Sequence, residues 1–147
     1  MIGTPGMAAP DVYLDACCFI YLVEGTPEWR SAVESRLRLI PETAQLITSQ
    51  LSRLECRTRP LRDGNDSLLK RYDDLFSAAR VCLVDISPAI IDRATILRAR
   101  HGYKSPDAIH LASGVSARVA TFLTGDSRLQ GCSELNVDVL ALTGEHR

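Results

Sequence analysis

The sequence has no long apolar run, no excess charge of either sign and none of the familiar nucleophile or nucleotide motifs. Each absence removes a class of function. Its apolar stretches fall far short of the roughly 18 residues a membrane span requires, and no charged start precedes an apolar segment of the signal-peptide kind. A soluble cytoplasmic protein without a membrane partner is expected. Seventeen Lys and Arg stand against 18 Asp and Glu, a formal net charge of -1. There is thus no global attraction to nucleic acid, and any such contact must come from local segregation of charge. No G-x-S-x-G elbow, P-loop or G-x-G-x-x-G turn is present, so acyl-enzyme and nucleotide-cradling chemistry have no support. The five cysteines form no C-x-x-C and have no His pair at ligand spacing, so neither a zinc site nor a disulfide framework is suggested and reduced, mostly buried thiols are expected. Internal repeats and low-complexity segments are also missing.

What is present is an alternation of short apolar segments with amphipathic helices. Residues 1–10, with Gly3, Pro5, Gly6 and Pro10, read as a flexible leader. The remaining 11–147 are enough for one domain, which at this size buries about 70% of its unfolded surface. Strands are expected at 12–14, 44–48, 81–86, 120–124 and 137–142. A helix is expected over 16–23, and the next opens at Thr26-Pro27-Glu28 with Trp29, Val33, Leu37 and Ile40 at helical spacing. Ser49 caps a helix that Pro60 should stop. Further helices carry Leu68, Leu69, Tyr72, Leu75, Phe76 and Ala79, then Ile90, Ile91, Ala94 and Leu97 behind Ser87-Pro88, with Gly102 as the stop, and then Asp107 behind Ser105-Pro106. Parallel neighbours need crossover connections, so this alternation predicts an α/β fold with a central, mostly parallel sheet flanked by helices. Leu68, Tyr72 and Phe76 are either core or a dimer surface.

Four acids stand out. Asp15 and Asp126 follow the first and fourth expected strands, Glu55 lies in the helix after the second, and Asp107 lies in a first helical turn. In open α/β sheets, sites form beyond the carboxyl ends of the strands, where acids from distant segments can converge. Like charges brought together raise one another's pKa, and a divalent cation reverses that cost. Mg²⁺ and Mn²⁺ both suit oxygen donors and support in-line attack on phosphorus. His110, three residues after Asp107, is read as a structural helix residue. A phosphoaspartyl enzyme is disfavoured because Cys17 stands where its second acid would be. Arg53, Arg57 and Arg59, with Arg62, surround Glu55 and are candidate phosphate contacts, as are Arg98, Arg100, His101 and Lys104.

The segments Val12-Tyr13-Leu14-Asp15-Ala16-Cys17-Cys18-Phe19-Ile20-Tyr21-Leu22, Glu55, Ser105-Pro106-Asp107-Ala108-Ile109-His110-Leu111-Ala112 and Phe122-Leu123-Thr124-Gly125-Asp126 together resemble the PIN domain family, and more narrowly VapC-type toxins. The resemblance runs from 12 to about 142. It implies a three-layer PIN-like sandwich and a Mg²⁺- or Mn²⁺-dependent endoribonuclease with Asp15, Glu55, Asp107 and Asp126 as catalytic acids. Asp15, Asp107 and Asp126 would hold the metal. It also implies an RNA substrate, a homodimer and a cognate antitoxin, for which Arg53, Arg57 and Arg59 are alternative contacts. Other readings are a housekeeping PIN nuclease or a silent PIN fold that binds protein. Two positions differ from what the family often shows: Ala16 replaces a hydroxyl or amide, and Ser127 and Arg128 follow Asp126 where some members carry a further acid.

Overall fold

Residues alternate in side-chain direction along a strand, and here both directions are apolar, so each strand needs cover on both faces. In β1 (Val12–Leu14), Val12 and Leu14 point into one core and Tyr13 into the other. The computed structural model describes residues 10–142; apart from Pro10, the expected leader lies outside the described residues. Five parallel strands form one sheet in the order β3-β2-β1-β4-β5, with β2 at Leu46–Ser49, β3 at Val81–Val84, β4 at Thr121–Thr124 and β5 at Val137–Val139. The central strand β1 therefore pairs with β2 at Val12↔Leu46 and with β4 at Val12↔Thr121.

Helices α1 (Ala16–Glu24), α2 (Pro27–Arg38), α3 (Gln50–Arg62) and α4 (Asp66–Phe76) cover one face, sealing Phe19, Val33, Cys56, Tyr72 and Phe76 against Val12, Leu14 and Leu123. Helices α5 (Pro88–His101) and α6 (Ser105–Ser116) cover the other, where Ile90, Leu97, Leu111 and Phe122 meet Tyr13. This is the three-layer α/β architecture expected. Tyr72 and Phe76 are internal, stacked within the first core, and do not offer a free surface.

Local signals explain most element ends. Thr26, Ser49, Asn65 and Ser87 each accept a hydrogen bond from a backbone N–H in the first turn of the helix they precede. Three expectations are corrected. Pro60 does not stop α3, which continues to Arg62. The helix closes instead through Gly64 at φ 66°, with Asn65 N–H donating to the Pro60 carbonyl and Gly64 N–H to the Leu61 carbonyl. That left-handed closure satisfies carbonyls that the end of the helix leaves without an intrahelical partner. Ile91 is 44% exposed, because the buried stripe of α5 is Ile90, Ala94 and Leu97 and its neighbour points about 100° away. Strands β3 and β5 are shorter than expected. Each ladder stops where its neighbour's does: Ser49 pairs with Val84 just before α3 begins, and Thr124 pairs with Val139.

Gly64→Ala should cost about 1 kcal/mol, since a side chain there meets no atom within 4 Å but must adopt the left-handed conformation. Gly131→Ala, also in open space but at an ordinary φ, should stay within about 0.5 kcal/mol. Urea denaturation of the two variants beside the parent protein checks both.

Candidate metal and catalytic site

Parallel strands all end at the same side of a sheet, so the residues after β1 and β4 share one rim. Asp15 leaves β1 and caps α1; Asp126 leaves β4 and caps a 3₁₀ turn at Ser127–Gly131. Glu55 reaches the rim from the second turn of α3, and Asp107 from the first turn of α6. All four line one open cleft of about 560 Å³, together with Ala16, Cys17, Tyr21 and His110.

Asp15 is only 8% exposed, and its carboxylate is saturated with donors. Oδ1 accepts from the Cys17 backbone N–H at 3.1 Å and from the Cys17 thiol at 2.6 Å, with the Cys18 thiol at 3.8 Å. Oδ2 accepts from the Thr124 hydroxyl. That hydroxyl in turn accepts from the Asp126 N–H at 3.0 Å, so one threonine ties the first acid to the backbone of the fourth. The Cys17 sulfur accepts from the Gly125 N–H at 3.1 Å. A side chain at Gly125 would meet the Tyr21 hydroxyl at 2.7 Å, so only glycine lets this turn pass the ring. With Ala16 unable to donate, the Cys17 N–H and thiol and the Thr124 hydroxyl supply the hydrogen bonds to Asp15, while the Cys18 thiol donates at 3.4 Å to the Leu123 carbonyl.

The other acids differ in their surroundings. Burial and then the neighbouring Asp126 push the Asp107 carboxyl above its ordinary value. Asp126 is held below its ordinary value, chiefly because the Arg128 guanidinium grips its carboxylate, with Nη2 2.6 Å from Oδ2 and Nε 3.0 Å from Oδ1. Glu55 Oε1 lies 2.6 Å from His110 Nε2. Burial, with the Cys17 and Asp15 charges next, pushes the Tyr21 phenol up to about 12, so it remains a protonated donor on the cleft wall.

Does this donor set fit a divalent cation? Asp107, raised by burial and by the Asp126 charge, is the acid whose ionised form a cation would stabilise. Among the described residues, only Asp15, Cys17 and Cys18 bring three potential ligand atoms within 4.8 Å of one another. The carboxylates are spread more widely, which suits a hydrated Mg²⁺ or Mn²⁺ reached partly through water better than a closed cage. Burial pushes the Cys18 thiol well up, so it acts as a hydrogen-bond donor in place of a soft-metal ligand.

The arginines expected beside Glu55 do not line this cleft. Arg57 pairs with Asp73 at 3.0 Å, Arg59 with Glu24 at 3.6 Å and Arg62 with Asp63 at 3.4 Å, while Arg53 donates to Gln50. Arg59 borders a neighbouring cavity of about 370 Å³ that shares Ile20 and Glu55 with the main one. In the second basic run, Arg98 donates to the Tyr103 carbonyl and His101 lies 3.7 Å from Glu134. Three contributors had no clear signal in the sequence: Cys17, Arg128 and the bridging role of Thr124. For His110, the spacing from Asp107 was the one available hint.

Fold and cleft together define a parallel α/β protein with a convergent acidic site at the carboxyl edge of its sheet. A family model of the PIN domain matches residues 12–134, and the chain belongs to that family. Among solved structures, the chain is similar to a toxin–antitoxin complex from Klebsiella pneumoniae, with 21% identity, 88% of this chain and 97% of the other covered, and a TM-score of 0.69. It is similar to VapBC2 from Rickettsia felis bound to a DNA fragment from its promoter, with 13% identity, coverage of 88% and 98%, and a TM-score of 0.73. It is also similar to the sarcin-ricin loop cleaving toxin VapC20 of Mycobacterium tuberculosis, with 15% identity, coverage of 86% and 99%, and a TM-score of 0.67. At these identities the likeness speaks for the fold. No curated protein sequence matches the chain.

In metal-free protein, Asp107 should titrate above the ordinary carboxylate range and Asp126 below it, read by carboxyl ¹³C shifts against pH. The signs of the stability contributions are opposite. The Asp126 contribution grows as pH rises from its depressed folded value to the ordinary one, whereas the Asp107 contribution falls as pH rises from the ordinary value to its raised one. Arg128→Ala should return Asp126 toward the ordinary range.

Proposed function

We propose that this protein is a Mg²⁺- or Mn²⁺-dependent endoribonuclease that acts as the toxin of a toxin–antitoxin pair. The observation that carries the reading is the convergence of Asp15, Glu55, Asp107 and Asp126, from four distant segments, on one cleft at the carboxyl ends of parallel strands. Membership of the PIN domain family supports hydrolysis of nucleic-acid phosphodiesters. The RNA substrate and antitoxin partner draw their support from similarity in fold to toxin–antitoxin complexes and to a sarcin-ricin loop cleaving toxin.

Asp15, Asp107 and Asp126 would hold the cation, which when bound supplies charge neutralisation and polarisation at the phosphoryl group. Thr124 and the backbone N–H and thiol of Cys17 keep the Asp15 carboxylate in one orientation. Glu55 accepts the proton of the attacking water as its oxygen bonds to phosphorus; the P–O bond opposite breaks, and the leaving oxygen takes a proton from solvent water. The cleft is open to solvent on one side, as a polynucleotide substrate requires. Asp107, raised by burial and without a close basic partner among the described residues, also suits a basic side chain from an antitoxin, since a carboxylate can pair with an arginine as well as with a metal. A homodimer is part of the same reading.

The test is incubation of the purified protein and its Asp15→Asn variant with total cellular RNA in Mg²⁺, in Mn²⁺ and in excess EDTA, followed by sequencing of new RNA ends. Cleavage by the parent protein alone, abolished by EDTA and reduced at least about 100-fold by the substitution, is expected. Equal cleavage by both proteins refutes the site assignment. Expression of the parent protein, but not of Asp15→Asn, should also arrest growth, and a co-expressed cognate antitoxin should relieve the arrest.

A further inference from the structure

His110 is 4% exposed, and both of its ring nitrogens are engaged. Nδ1 lies 2.7 Å from the Tyr13 hydroxyl and Nε2 lies 2.6 Å from Glu55 Oε1. An ionised carboxylate has no proton to give, so Nε2 carries the hydrogen and donates it to Glu55, leaving Nδ1 to accept from the Tyr13 O–H. Tyr13 is itself packed on every side: it is fully buried in the central strand and stacked on Phe122 at 5.0 Å with ring planes 6° apart. A chain of hydrogen bonds therefore runs from the middle of the sheet to a cleft acid whose side chain is 31% exposed.

We propose that His110 is a positioning residue for Glu55: by binding Oε1 from the core side, it presents Oε2 to the water that attacks the RNA phosphate. The inference rests on the nuclease reading above. Among the described residues Oε2 has no hydrogen-bond partner, and a glutamate on a helix surface otherwise samples many rotamers. Fixing one oxygen removes that freedom in advance, so the second meets the water in a single orientation. A purely structural histidine would place both nitrogens on core groups. This one commits a nitrogen to the cleft.

The test uses the full chain, its His110→Leu, His110→Gln and Tyr13→Phe variants, and a synthetic RNA oligonucleotide spanning the cleavage site mapped in total RNA. His110→Leu should lower kcat about 10- to 100-fold and leave KM within about twofold. His110→Gln, whose amide N–H can still reach Glu55, should recover to within about fivefold of the parent. Tyr13→Phe keeps the ring and removes the hydroxyl that donates to Nδ1; it should lower kcat by about two- to tenfold and remains informative if His110→Leu fails to fold. Independently of activity, long-range ¹H–¹⁵N spectra should show His110 as the Nε2–H tautomer, with a slowly exchanging proton that Glu55→Ala abolishes. An active parent with unchanged kcat in His110→Leu overturns the positioning role alone, as does a His110 signal indifferent to Glu55→Ala. A folded parent that cleaves nothing, with the His110 signature intact, overturns the nuclease reading and leaves the hydrogen-bond chain standing.

Discussion

A carboxylate buried at the end of the central strand governs this architecture. Leaving Asp15 charged and unpaired at 8% exposure would cost several kcal/mol, so its surroundings must supply donors from more than one element. They come from the first turn of α1, directly after the acid, and from the last residue of β4, 109 positions further along the chain but on the strand that pairs with β1. The Thr124 hydroxyl couples the two strand ends and, by accepting from the Asp126 N–H, sets where the next acid begins. The register of β1 against β4, the start of α1 and the place of the fourth acid are thus one linked arrangement.

Electrostatics divides the cleft unevenly. Asp107 and Asp126 feel each other, yet their carboxyls shift in opposite directions because Arg128 compensates one and burial penalises the other. An incoming cation would meet an acid in need of a partner beside one that already has a guanidinium, so loading the proposed site means competing with Arg128. RNA, as a polyanion, gains nothing from these acids alone, and with a net charge of -1 the chain as a whole offers no compensation. A cation would then serve as bridge as well as catalyst, and the substrate would be drawn by the loaded site.

Much of this was legible in the sequence because it is local. The β1 segment, the capped starts at Thr26, Ser49 and Ser87, and the exits at Asp15 and Asp126 follow from periodicity and residue type within a few positions. The structure does bring those two acids together with Glu55 and Asp107. What escaped reading depends on partners far away in the chain. His110 looked like an ordinary helix residue because its partners lie 97 and 55 positions off. The pairing of Arg57 with Asp73 and of Arg59 with Glu24 was not legible because those acids sit on other helices. Ala16 looked like a lost donor because Thr124 and Cys17 replace it from positions that carry no such signature. Pro60 is a local miss of another sort: its ring ends most helices, but a left-handed glycine four residues on supplied a better stop.

The order β3-β2-β1-β4-β5 puts the earliest strand in the middle of the sheet, with Val12 facing Thr121 across the whole length of the intervening chain. A ribosome delivers residues in sequence, and domains generally fold as they emerge. Through most of translation β1 has only one of its two neighbours, Asp15 lacks the Thr124 hydroxyl, and Asp126 does not yet exist. On the proposed ribonuclease reading, the cleft cannot assemble before β4 and Asp126 have been made, so the order of the strands delays the activity until the acids at both ends of the fold are present.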